Sequence, residues 1–232
     1  MLEIQDLHVG YYRDLNILQG VSLHARKGQI TAVLGPNGVG KSTLLKTVFG
    51  FIKPQRGVIS FAGQDIAGTP SHNLVQLGIS YIPQRQSVFP QMTVEENLEL
   101  GAWSFRSDKA RIQERIEANY KRFPVLRDRR RSPAGELSGG TQRMVEIGRI
   151  LMADPKLILV DEPTAGLAIR LEKEIYDLLV QLKEEGVTLL LVDQNIRQAI
   201  NIADYVYVLE LGRNRLDGPR NQFEDFKKAL WL

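Results

Sequence analysis

The stretch that most constrains the fold is an apolar run, Ile30–Leu34, that ends at Gly35 and leads into GPNGVGKST at 35–43. Beyond it, Leu44, Leu45, Val48 and Phe49 recur along one helical face. A buried strand, a glycine loop and a helix in that order commit the chain to an α/β sheet with the loop at a strand's C-terminal end. Gly35, Gly38 and Gly40 let the backbone curl with its N–H groups inward, and the helix start adds partial positive charge. The turn is therefore an anion cradle. Lys41 is placed to neutralise β- and γ-phosphates, and Ser42 to set its hydroxyl on a Mg²⁺ ion bridging them.

A second apolar run, LILV at 157–160, ends in Asp161 and Glu162. A buried strand that delivers two adjacent carboxylates to its C-terminal end puts them where open α/β sheets bind ligands. Successive strand residues point opposite ways, so Asp161 can orient the Mg²⁺ shell while Glu162 faces an attacking water as general base. LSGGTQ at 137–142 supplies a hydroxyl, Ser138, and two residues without side chains, Gly139 and Gly140, at a helix start. That is a further anion cap. Two such caps in one chain are redundant unless they meet across an interface, each completing the site held by the other subunit.

The 232 residues suffice for one substantial core with an insertion. No apolar run approaches the roughly 20 residues that cross a bilayer, and Glu3 and Asp6 interrupt the N-terminus, so a soluble, non-secreted chain is expected. There is no cysteine, and His8, His24 and His72 are scattered, which excludes disulfides and thiolate or clustered-histidine metal sites. A net charge of +3 gives little support to a sequence-independent grip on nucleic acid. The one dense basic run, Arg127, Arg129, Arg130 and Arg131, reads as a solvated helix end or as a contact for an acidic partner or headgroup.

Alternation at Leu2 and Ile4 and at Val21, Leu23 and Ala25 predicts an antiparallel hairpin feeding the first buried strand. Short strands are expected around 58–61 and 79–82. From Thr93 the chain reads as helical: Thr93 and Glu96 form a capping box, Ile112, Ile116, Tyr120 and Phe123 recur at helical spacing up to Pro124, and a helix is expected over 138–153. Strands resume at 157–160 and 189–192 around a helix at 171–185, so the core sheet should be parallel. Phe223, Phe226 and Leu230 space the tail like a docked helix. The expected organisation is a single α/β domain over 1–232. It has a P-loop NTPase core from about 1–87 and 150–232, an N-terminal antiparallel β subdomain, and a helical insertion from about 88–149.

In order and wording, GPNGVGKST, LSGGTQ and LILVDE resemble the Walker A, signature and Walker B motifs of the ATP-binding-cassette (ABC) ATPases. The resemblance spans essentially the whole chain. It implies that Gly35, Pro36, Asn37, Gly38, Val39, Gly40, Lys41, Ser42 and Thr43 hold ATP, with Mg²⁺ at Ser42 and Asp161 and with Glu162 as the catalytic base. It also implies a head-to-tail dimer, of two copies or of two different ATPases, with Ser138, Gly139 and Gly140 acting in trans. Tyr12 is similar to the family's adenine-stacking aromatic, with Tyr11 the competing choice, and Gln84 in YIPQ to the Q-loop glutamine that touches Mg²⁺ or its water.

Two positions depart from the family pattern. Ala168 follows Ala165, Gly166 and Leu167 where an aspartate is usual, and the switch position after strand 189–192 holds Gln194, in Asp193-Gln194-Asn195, where a histidine is usual. Gln194 can donate a hydrogen bond to a γ-phosphate but cannot take a proton, which predicts slow hydrolysis rather than none. These departures, with MTVEENLELGA at 92–102, resemble one ATPase type of the branched-chain amino-acid importers. Ile169 replaces that subfamily's common proline, and urea or amide importers share most of these features. The resemblance implies an ATPase peripheral to the cytoplasmic face of the inner (plasma) membrane. Its partners would be separate permease subunits and, indirectly, a solute-binding protein, with no nucleic acid. A weakly hydrolysing regulatory subunit and a non-transport ABC ATPase are the competing readings. The latter would carry a long coiled coil or a second cassette, and neither is present.

Overall fold

The computed structural model describes residues 1–12, 15–85 and 87–223, without the side chains of Tyr11, Tyr12 and Leu15. In chain order the elements are β1 (Leu2–Tyr12), β2 (Leu15–Ala25), β3 (Ile30–Leu34), α1 (Lys41–Val48), β4 (Arg56–Phe61), β5 (Gln64–Asp65), α2 (Ser71–Leu77) and β6 (Ile79–Ile82). Then come α3 (Val94–Leu100), α4 (Lys109–Arg122), α5 (Pro124–Asp128), α6 (Gly139–Leu151), β7 (Leu157–Asp161), α7 (Ile169–Glu184), β8 (Thr188–Val192), α8 (Ile196–Ile202), β9 (Tyr205–Glu210) and β10 (Arg213–Pro219).

The strands form two sheets. One is antiparallel, in the order β2-β1-β4-β5; the other runs β10-β9-β3-β8-β7-β6, parallel from β9 to β6 with β10 antiparallel at its edge. Every residue of β3, β7 and β8 is buried, which is why those segments read as unbroken apolar runs. Alternate residues serve two cores. Val33, Leu159, Leu190 and Val192 pack with α1 and the antiparallel sheet, whereas Ala32, Ile158, Val160 and Leu191 pack against the helices of the opposite face.

The predicted capping box is formed, with the Thr93 side chain accepting from the Glu96 N–H and Glu96 returning the bond to Thr93. Ile116, Tyr120 and Phe123 are buried; α4 ends at Arg122, just before Pro124 as the spacing predicts, and Pro124 then opens the short α5. Arg127 pairs with Glu117, while Arg129, Arg130 and Arg131 are exposed. The expected tail helix falls outside the described residues beyond Phe223, which is buried in a short 3₁₀ turn. No helix among the described residues is long and apolar enough to cross a membrane.

Candidate nucleotide site

Adjacent parallel strands β3, β8, β7 and β6 all end on the same edge of the sheet. Within two residues of those ends lie Gly35, Gln194, Glu162 and Gln84, so the topology gathers four segments far apart in sequence. A cavity of about 390 Å³ there is lined by Gly38, Gly40, Lys41, Ser42, Thr43, Gln84, Glu162 and Gln194, with Asn37 and Ile17.

Backbone geometry builds the loop. Gly40, at φ 107°, caps α1, and a Cβ there would lie 2.6 Å from Leu18 Cδ2. At Gly35, φ 150°, a Cβ would lie 2.4 Å from the Leu209 carbonyl oxygen, so only glycine lets the loop abut β9. Lys41 is 4% exposed and folds back to donate to the carbonyls of Gly35 and Pro36 at 2.8 and 3.1 Å. Burial pulls its pKa below the usual lysine range, and the carboxylates of Glu162, Asp161 and Asp193 pull the other way. An ammonium held by two neutral carbonyls beside three acids is ready to exchange them for phosphate oxygens.

Ser42 Oγ donates to Asp161 Oδ1 at 2.8 Å, and Tyr81 donates to Asp161 Oδ2 at 2.8 Å. Tyr81 is held by stacking on Phe49, with ring centroids 5.5 Å apart. A hydroxyl beside a carboxylate is an all-oxygen pair suited to a hard cation. Among the described residues no three His, Cys, Asp or Glu side chains gather as a metal site. The donor set fits Mg²⁺, which binds through one or two protein oxygens and completes its shell with phosphate and water.

Glu162 leaves the strand at φ 43°, a left-handed conformation that a non-glycine residue adopts at a cost of about 1–3 kcal/mol. Its N–H still bonds the Val192 carbonyl at 2.8 Å, so the turn is anchored to β8 while the carboxylate swings into the cavity. There Gln84 Nε2 donates to Glu162 Oε2 at 2.5 Å. Gln84 therefore holds the acid rather than the Ser42–Asp161 pair. Gln194 is exposed at the cavity mouth. Its neighbour Asp193 is buried, accepts from Tyr176 Oη and the Asn195 N–H, and has its pKa raised by desolvation.

A second cavity, of about 890 Å³, lies beyond residues 35–37 and includes Thr164, Gly166, Asp193 and Gln194. Although larger, it lacks Lys41, Ser42 and Glu162, which line the smaller one. Ser138 lines neither. It caps α6 by accepting from the Thr141 N–H, and it opens on a separate 280 Å³ cavity with Arg129. Gly139 is exposed, and Gly140 is buried where a Cβ would meet Leu171 Cδ1 at 2.3 Å. The structure thus unites 35–43, Gln84, Asp161, Glu162 and Gln194 and leaves Ser138–Gly140 apart. Tyr12 and Tyr11, the adenine candidates, have side chains outside the described residues.

Ile17, Tyr81 and Arg143 were not singled out from sequence. Ile17 alternates with the buried Leu18, Tyr81 opens the YIPQ run, and Arg143 carries no local signal beyond its position in the helix after LSGGTQ.

A family model described as ABC transporter matches residues 18–165, from β2 past Glu162. The chain belongs to the ABC transporter ATPases. The branched-chain amino acid transport ATP-binding protein BraG of Pseudomonas aeruginosa is 43% identical over 88% of this chain and 86% of its own. The lipopolysaccharide export ATP-binding protein LptB of Haemophilus influenzae is 36% identical over 91% and 88%. A nucleotide-free ATP-binding cassette from an ABC transporter superposes with a TM-score of 0.86 at 31% identity over 100% of this chain and 95% of that one. A dimeric cassette bound to ADP and Pi superposes with a TM-score of 0.84 at 25% identity, covering 95% and 99%. This ABC ATPase therefore binds nucleotide and hydrolyses ATP for a transporter, on an α/β P-loop fold.

Proposed function

We propose that this ATPase energises import of branched-chain amino acids, or closely similar small polar solutes, through separate permease subunits at the cytoplasmic face of the inner membrane. The observation that carries the solute class is the identity with BraG along most of both chains, together with Ala168 and Gln194 at the two divergent positions. A solute-binding protein would deliver cargo to the permeases, and this chain would not touch it.

At the site, residues 35–43 hold the phosphates of ATP, Tyr12 stacks on adenine, and Ser42 and Asp161 would hold Mg²⁺. Mg²⁺ supplies neutralisation of charge on the transferring phosphoryl group. Lys41 leaves its loop carbonyls for the phosphates. Glu162, once released by Gln84, takes a proton from the attacking water. Gln194 donates to the γ-phosphate. Ser138, Gly139 and Gly140 cap the nucleotide of a second ATPase subunit; in support, Ser138 lines a cavity other than the one that holds its own phosphate loop. The segment 88–149 acts as a helical unit that carries this cap, against a core of 1–87 and 150–232.

The test is reconstitution of the membrane complex purified with this subunit. ATP-driven leucine uptake into vesicles is expected. Lipopolysaccharide extraction without leucine uptake would replace this reading with the export function named for LptB, and recovery of only soluble partners would defeat the transport assignment.

A further inference from the structure

Arg143, on the helix that follows Ser138, is only 2% exposed. A guanidinium is buried favourably only when its fork meets acceptors, and here those acceptors are informative. Nη1 donates to the Pro83 carbonyl at 2.7 Å and also to Glu146, and Nε donates to the Pro163 carbonyl at 3.0 Å. Pro83 directly precedes Gln84, and Pro163 directly follows Glu162. One rigid cation thus grips the backbone on both sides of the Gln84–Glu162 hydrogen bond. Little slack remains on either side, since the Pro83 carbonyl is bonded directly to the Gln84 nitrogen, and the ring of Pro163 fixes the φ that lies between its held carbonyl and Glu162. Glu146, which is fully buried, takes a bond from Ser87 Oγ through its other oxygen, and Arg149 bonds both the hydroxyl and the carbonyl of Ser87. The helix that begins at the exposed Ser138 is therefore bolted to the segments that carry the acid and its restraint.

We propose that Arg143 is a positioning residue for hydrolysis: it sets the separation of Gln84 and Glu162 from α6, so that displacement of this helix loosens or aims the carboxylate. The proposal rests on the reading of Glu162 as general base. Its competitor is a core ion pair with Glu146 that has no bearing on the chemistry.

Steady-state ATPase, ATP affinity and melting temperature of the purified chain separate the two, using Glu162→Gln, Arg143→Lys, Gln84→Ala and the Arg143→Lys/Gln84→Ala double variant. Lysine keeps a positive charge against Glu146 but cannot span both carbonyls. Misplacement of a reacting group by a fraction of an ångström predicts a kcat loss of about tenfold for Arg143→Lys, with ATP affinity within about threefold. The double variant should lose less than the product of the single losses. Unchanged kcat, or losses that multiply, would overturn the proposal. If Arg143→Lys does not fold, Arg143→Gln/Glu146→Gln removes both members of the buried pair together and carries the same comparison. Turnover surviving in Glu162→Gln would defeat the general-base reading itself. A dead Glu162→Gln beside a normal Arg143→Lys would defeat only the role of Arg143.

Discussion

Gln194 occupies the cavity mouth with an amide where the family's usual imidazole would titrate. On the proposed role, a hydrogen bond formed as the γ-phosphate gains charge, Gln194→Ala should lower kcat on the order of 10²-fold while KM for ATP changes little. Steady-state kinetics checks this; a KM effect alone would mean that Gln194 only binds. Asp193 beside it predicts a pH dependence. Desolvation raises its folded pKa above the ordinary 3.8, so the folded chain holds that proton more tightly than the unfolded chain. Its stabilising contribution is complete below pH 3.8 and is lost as pH rises through the raised value. Melting temperature followed upward from pH 3.8 should therefore show Asp193→Asn gaining on the native chain as pH rises through the raised value. A constant difference would contradict the assignment.

At the scale of elements, α3 and α6 approach so closely that a Cβ at Gly101 would lie 1.9 Å from the Arg149 carbonyl oxygen. Backbone cannot yield as a side chain tip can, so Gly101→Ala should destabilise the fold by about 1–3 kcal/mol, read by urea unfolding. Wild-type stability in that variant would place the two helices further apart. Such contacts also explain what was legible in the sequence. The phosphate loop, the Asp161–Glu162 pair and the fully buried strands were readable because their signals are local: spacing of glycines, or an apolar run ending in acids. The hairpin β9–β10 was not, since β10 alternates exposed and half-buried residues in a charged stretch. Nor was α2, which buries Leu74 alone. Tyr81 and Arg143 escaped because their partners, Asp161, Pro83 and Pro163, lie 20 to 80 residues away and become neighbours only through the sheet order.

The whole molecule places four strand ends at one edge and thereby assembles loop 35–43, Gln84, Glu162 and Gln194, while Ser138 opens on another cavity. On the reading proposed above, one chain presents half of each of two sites, and a head-to-tail pair would complete both. In purified protein the neighbour is a second copy, and the two halves can be broken separately. Lys41→Ala removes the phosphate cation, and Ser138→Arg fills the opposite cap. Each variant alone should hydrolyse ATP at background rate. Mixed in equal amounts, they pair at random, and half of the dimers then contain one intact site of two, so about a quarter of wild-type ATPase should return. A mixture that stays at the level of its parents would contradict a site shared between subunits.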